Sequence, residues 1–403
     1  TFITTKDNFT NNSNVVDIDL SGTIGDAAAV DTLSTDIRAL SGGTAEINLT
    51  GVTAISGTFA QLETIIDDSG AVGSNSKFSG VAAQELTEDS GEGISVANAN
   101  KLSGATTGKV TATVTTGSLE TLNGLSAAAQ PANGDAFALT LNDATVDAGD
   151  LATLDSKVDQ AGGGSINMNT VVKLTGTLAE AQTFITTKDN FTNNSNVVDV
   201  TLDAAAIGDA SDLTTLSTDI RTLGGGTAEL DLTNITAITG DFSSLNTIIS
   251  NSGAVGSNEK FSGLAAQAIT ANDATITVDN ANTLSGATTG KVTATIATGS
   301  LTTLNGLSAA AQPANGDAFA LTLNDTSVDA GDLATLDSKV DQAGGGSINM
   351  NSVVKLTGTL AEAQTFITTK DNFTNNSNVV DIDLSGTIGD AAAVDTLSTD
   401  IRA

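Results

Sequence analysis

The chain has 403 residues, with 41 Gly, 12 Phe, 2 Pro and no Trp, Tyr, Cys or His, and its 47 acidic and 15 basic residues leave a formal net charge of −32. Without His or Cys there are no disulfides, no Ser-His-Asp or Cys-His nucleophile systems and no zinc sites with imidazole or thiolate ligands. The negative charge repels nucleic acid phosphates and anionic lipid surfaces, which removes both as partners, while a hydrophobic content of 39% and a mean hydropathy of +0.09 are too high for a disordered chain.

Read in chain order, alternating and helical stripes take turns. Val16, Ile18 and Leu20 alternate with polar residues, which predicts a strand with one buried face. Val30, Leu33, Ile37 and Leu40 then follow a one-sided helical spacing, with Asp26 as N-cap and Ser41-Gly42-Gly43 as stop. A second strand carries Ala45, Ile47 and Leu49, and a second short apolar stretch spans Val52 to Ile55. Phe59, Leu62 and Ile66 predict another helix, capped by Thr58. Around Asn98, Asn100 and Leu102 the helical stripe is poor. Val110, Ala112 and Val114 point inward with Thr111 and Thr113 outward, and Leu119, Leu122 and Leu125 form a stripe behind Ser118. Phe137, Leu139 and Leu141 make a further strand. Leu151, Leu154 and Val158 make a helix behind Asp147, stopped at Gly162-Gly163-Gly164, before the short run Val171-Val172-Lys173-Leu174. No run of 18 apolar residues exists to span a membrane.

The same order then recurs. Residues 1–17, TFITTKDNFTNNSNVVD, stand again at 183–199 and 365–381, a period of 182 residues. The copies are therefore 1–182, 183–364 and the start of a third at 365–403, with no linkers between them. Residues 365–403 repeat 1–39 without a change, whereas the middle copy departs there, so two variants alternating over 364 residues are expected. Within one copy, strand-like runs start near Val15, Ala45, Lys77, Lys109, Ala136 and Ser165, about 30 residues apart. This spacing predicts a β-solenoid, parallel β-helix-like, with about six coils per copy and a short helix or helical turn in most of them. Helices pack at about 8–10 Å and strands at ~4.8 Å, so such a stack bends unless its helices are short or staggered. Both chain ends fall inside coils, which reads as a window on a longer array or a unit completed end to end by its neighbours.

The remaining chemistry is carboxylate and amide oxygen. Asp17 with Asp19, or Asp143 with Asp147 and Asp150, are the pairs a glycosidase-like reaction requires. The plainer reading is helix caps and solvated positions, and it is supported by Thr201 replacing Asp19 in the middle copy. Asp7, Asn8, Asn11 and Asn12 form an oxygen-rich run suited to calcium, without EF-hand spacing, so that an Asx-rich turn competes with a calcium site. Thr111-Ala112-Thr113 has the outward T-x-T pattern of ice-binding surfaces, but the outward positions assigned to neighbouring coils do not continue it. Asn8-Phe9-Thr10 and Asn48-Leu49-Thr50 fit the glycosylation sequon, and no GxxxxGK[ST] phosphate loop is present.

The phrases LTGTLAEAQ (174–182), VDAGDLATLDSKV (146–158) and ISGTFAQLETII (55–66) resemble giant tandem-repeat extracellular surface and fibre proteins of bacteria, cyanobacteria in particular. The resemblance covers nearly the whole chain in style and period and carries no catalytic residues. It implies a secreted, cell-surface or filamentous protein acting in adhesion, sheath formation or cell contact. The expected function is a non-enzymatic structural repeat of an extracellular filament, sheath or fibre. Its partner is itself, by stacking and lateral contact. The alternatives are the spacer stalk of a large adhesin and a carbohydrate-active β-helix enzyme.

Overall fold

The computed structural model describes residues 17–126, 135–159, 161–197, 199–203, 208–224, 226–257, 259–308 and 316–402. The chain divides into two compact units, residues 1–198 and 199–403. In the first, β1 (Asp17–Ile24) leads through α1 (Ala27–Leu40) to β2 (Glu46–Gly57), and the two strands pair in parallel. After α2 (Phe59–Asp67) come the short strands β3 (Ser69–Gly70), β4 (Phe78–Ser79) and β5 (Glu85–Glu88). The sequence continues α3 (Val96–Ala105), β6 (Val110–Thr113), α4 (Leu119–Leu122), β7 (Ala136–Thr140), β8 (Thr145–Asp147) and α5 (Ala148–Asp155). β9 (Ser165–Asn167), β10 (Lys173–Gly176), α6 (Leu178–Thr187) and β11 (Phe191–Thr192) complete the unit. Nine of these strands form one parallel sheet in the order β11-β9-β7-β6-β5-β2-β4-β3, with β1 also on β2, and β10 pairs separately with β8.

The second unit repeats the alternation. It begins β12 (Asp199–Leu202), β13 (Gly208–Asp209), α7 (Ala210–Leu223), β14 (Glu229–Asp231), β15 (Ala237–Gly240) and α8 (Phe242–Ser250). Next are β16 (Ser252–Gly253), β17 (Phe261–Ser262), β18 (Ala268–Ala271), α9 (Val278–Ala287), β19 (Val292–Thr295), α10 (Leu301–Leu304) and β20 (Ala318–Thr322). It ends β21 (Ser327–Asp329), α11 (Ala330–Asp337), β22 (Ser347–Asn349), β23 (Lys355–Thr359), α12 (Leu360–Thr369), β24 (Phe373–Thr374), β25 (Asp381–Ser385) and α13 (Ala391–Arg402). Seven strands form a parallel sheet ordered β13-β15-β18-β19-β20-β22-β24. β21, β23 and β25 form another, and β14 lies between β12 and β17, which also pairs with β16.

The expected β-solenoid is corrected by this arrangement. The chain is an α/β fold with several parallel sheets, built from β-α-β units in which strands alternate with helices. Two features of the sequence account for the difference. Helices of 8–14 residues, such as α1, α5 and α7, are full crossover connections and not turns within a coil. The second short apolar runs, such as Lys173–Gly176, pair with one another in ladders of their own, so the strands are shared among separate sheets. Hydrophobic alternation reports the buried face of a strand and is silent on the sheet to which that strand belongs.

Local chemistry explains where the elements start. Asp26 accepts from Ala28 N and Ala29 N, Ser118 from Thr121 N, and Asp147 from Gly149 N and Asp150 N. Each supplies an acceptor to the orphan donors of a first helical turn. At Thr58 the backbone N–H donates to Gln61 Oε1 at 2.9 Å. The core is thin and aliphatic. Val110, Ala112 and Val114 are buried while Thr113 is exposed, and Phe78, Phe137, Phe261 and Phe319 are the largest wholly buried side chains. Helix α3, with its poor apolar stripe, nevertheless forms because Ala99 and Ser103 are buried with Leu102. Small residues let that helix sit close to the sheet.

Candidate functional site

The carboxylates singled out by sequence are distributed as hydrogen-bond acceptors. Asp17 Oδ1 accepts from Glu46 N at 3.3 Å, and Asp19 Oδ1 from Asn48 Nδ2 at 2.9 Å. Asp147 is the N-cap of α5, and Asp143 Oδ2 accepts from Leu119 N at 2.6 Å, capping α4 from the far side of β7. The backbone carbonyl of Asp150 accepts from Asn123 Nδ2 at 3.0 Å. Asp17, Asp143 and Asp147 thus serve backbone N–H groups, while Asp19 and the carbonyl of Asp150 accept from asparagine side chains.

Asp7, Asn8, Asn11 and Asn12 lie outside the described residues. The following copies place the same sequence in view. Asn190 Nδ2 donates to Asp155 Oδ2, Asn193 Nδ2 to Asn167 Oδ1, Asn194 Nδ2 to Lys188 O and Asn196 Nδ2 to Asn169 O, at 2.6–2.8 Å. Asn372, Asn375, Asn376 and Asn378 repeat all four. Asn193 and Asn375 sit at φ 58° and 59°, a left-handed conformation that asparagine tolerates. In both places the amides tie an asparagine-rich turn to the turn below it.

Among the described residues each unit carries a concave feature that the sequence reading did not pick out. Leu62 and Ile65 fill the core side of α2, which leaves Ile66 facing a groove of ≈ 500 Å³ lined also by Val72, Val81, Ala82 and Ala105. The loop between β3 and β4 forms one wall and is braced from below. Glu46, 3% exposed, accepts from Gly73 N at 3.0 and 3.2 Å and from Ser79 Oγ at 2.6 Å. Burial pushes the pKa of this carboxyl up, but Ser79 and the backbone N–H groups of Gly73, Asn75 and Ser74 outweigh it and hold the pKa below the ordinary glutamate range. Arg38 Nη1 clamps the same loop by donating to Asn75 O and Ala45 O. The loop held in this way presents Val72 at 63% exposure.

The second unit rebuilds it. Ile249, Val255, Leu264, Ala265 and Ala287 line a groove of ≈ 420 Å³, Glu229 accepts from Gly256 N at 2.9 and 3.1 Å, and Val255 is 64% exposed. The helical spacing put Ile66 on the buried stripe, but the structure buries Ile65 there; the paired isoleucines Ile65-Ile66 and Ile248-Ile249 are the sequence signal that could have located both grooves. Each groove is lined mainly by aliphatic side chains, with Ser69 in the first and Ser252 in the second bonded to a carbonyl of the preceding helix, Ile65 O and Ile248 O.

A second unforeseen feature is a buried carboxylate. Asp135 is 0% exposed; its Oδ1 accepts from Val110 N at 2.9 Å, and its carbonyl accepts from Asp159 N at 2.8 Å. Asp317 repeats this with Val292 N at 2.9 Å and Asp341 N at 2.8 Å. In each, Oδ2 is buried without a hydrogen-bond partner among the described residues.

No protein-family model matches the sequence, and no relative is found among curated proteins. Among the described residues no helix is long and apolar enough to cross a membrane.

Proposed function

We propose that this chain is the structural repeat region of a secreted extracellular filament, sheath or cell-surface fibre, without enzymatic activity, whose partner is further copies of itself. The observation that carries the reading is what the two units keep. Interior hydrogen bonds recur at the same length: Thr106 Oγ1 to Gln84 O and Thr288 Oγ1 to Gln267 O are both 2.6 Å, and Val110 N to Asp135 Oδ1 and Val292 N to Asp317 Oδ1 are both 2.9 Å. Exposed charges are exchanged freely, as where Glu63, Asp67 and Lys101 give way to Asn246, Ser250 and Thr283. Preserving packing and backbone ties while surface chemistry drifts is the signature of a scaffold, since a reaction centre requires particular side chains to be kept. The high negative charge keeps such long molecules soluble and limits lateral bundling.

Antibodies raised against the chain, used to label intact cells in electron micrographs, test this directly. Regular labelled filaments or a labelled outer layer are expected. Label confined to the cell interior overturns the proposal. The resemblance to bacterial surface proteins also supports an adhesin stalk, in which the repeats space a distant tip from the cell. Label concentrated along thin projections that end in an unlabelled tip favours that version.

A further inference from the structure

Asp135 stands where four segments meet. The Ser103 hydroxyl on α3 favours its ionised form, the N–H of Val110 at the start of β6 donates to Oδ1, and its own backbone bridges to Val158 beyond α5. Asp317 is set identically among Ser285, Val292 and Val340. A carboxylate so placed has one oxygen satisfied and one, Oδ2, buried with no donor among the described residues. An ionised oxygen in that position has lost its water and gained nothing in return, and the unpaired charge is strongly unfavourable. Neutralisation by a proton is the relief available to it.

We propose that Asp135 and Asp317 are matched proton latches: each carboxyl takes up a proton inside its folded unit, so both units tighten as the surroundings become acidic and loosen as they become alkaline. Burial acts in the direction this needs, pushing both carboxyls above the ordinary aspartate value of 3.8, while the bonds from Ser103 and Val110, or Ser285 and Val292, pull partly back.

The charged groups on the surrounding elements are otherwise engaged. Lys101 on α3 is held by Glu63 and Asp67, and Lys109 before β6 donates to Gly162 O. Asp155 at the end of α5 accepts from Asn190, and beyond the helix Lys157 donates to Asn123 O and Asp159 accepts from Gly162 N. Glu85 and Glu88 lie on β5 and Glu120 on α4. In the second unit the corresponding groups are Asp279 on α9, Lys291, Asp337, Lys339 and Asp341. None of them contributes to the displacement of either carboxyl, which has burial, the serine and the backbone N–H as its causes.

The sign follows from proton linkage. Each folded carboxyl binds its proton more tightly than the unfolded one, so the penalty is absent below 3.8. It grows as pH rises from there and is complete above the raised folded value. Within that window each site changes the unfolding constant by up to roughly tenfold per pH unit.

Urea unfolding of the full chain at a series of pH values tests this by comparing the parent with the Asp135→Asn/Asp317→Asn double variant. General charge repulsion acts on both proteins, so the difference between their profiles isolates the two sites. The parent should gain stability on acidification relative to the variant, and parallel profiles overturn the proposal. Should the double variant fail to fold, Ser103→Ala/Ser285→Ala removes a bond that favours the ionised form and should move the parent's midpoint to higher pH. A midpoint that stays in place overturns the proposal equally.

Discussion

The stretches 46–105 and 229–287 do the same structural work with different surfaces. Ile47, Val52, Ile55, Leu62, Ile65, Phe78, Val81 and Leu86 are buried in the first, and Leu230, Ile235, Ile238, Leu245, Ile248, Phe261, Leu264 and Ile269 in the second. Outside that core the first stretch is laced by ion pairs, Lys101 with Glu63 and Asp67 and Lys77 with Asp68, all at 2.7–2.8 Å. The second has Asn246, Ser250 and Thr283 where the Lys101 network stood, and Asn251 opposite Lys260. Exposed ion pairs are screened and contribute little, whereas a buried aliphatic side chain contributes in proportion to the area it removes from water. The comparison shows which of the two the fold depends on.

It can be broken most decisively at the aromatic core. Phe137→Ala and Phe319→Ala should each destabilise their own unit by about 3–5 kcal/mol in urea unfolding, because a wholly buried ring leaves a cavity. Unequal losses would mean that equivalent positions carry different weight in the two units. Glu46→Ala should cost about 2 kcal/mol by stranding the Gly73 N–H and the Ser79 hydroxyl, and should free the loop that carries Val72. Amide hydrogen exchange at residues 71–75 is the measurement, and unchanged protection would refute the brace.

A pH dependence accompanies that brace. Glu46 is held below its ordinary value of 4.5, so its contribution is present above 4.5 and is lost as pH falls through the depressed folded value. This is opposite in sign to the effect proposed for Asp135. The smallest effect is expected from Lys101→Thr, which writes the second stretch's residue into the first. Its melting temperature at physiological salt should match the parent within error, and a clear drop would show that the ion-pair network is structural.

Much of this was legible in the sequence. Period-two alternation located the strands at 110–113 and 136–140, and the caps Asp26, Ser118 and Asp147 marked where helices begin, because both signals are local. The fold class was not, since spacing of about 30 residues fits any array in which parallel strands return at a fixed interval. Only the pairing of Leu174 with Val146, apart from the ladder joining Ile166 to Leu139, shows that the strands are shared among sheets. Helix α3 was obscured because Ala99 and Ser103 do not score as an apolar stripe. Asp135 was invisible for a similar reason: an isolated aspartate before a strand reads as a solvated turn residue, and its burial is created by Ser103 and Val158 brought in from far along the chain.

The caps that come from downstream have a bearing on how the protein is made. Leu119 N donates to Asp143, 24 residues later, Leu301 N to Asp325 at the same distance, and Phe242 N to Asp273, 31 residues later. A nascent chain emerging from a ribosome therefore cannot complete these caps when the helices appear; each waits for its successor. The growing tip stays loose while everything behind it locks, so the chain matures in a single direction, like a zip whose slider travels with synthesis.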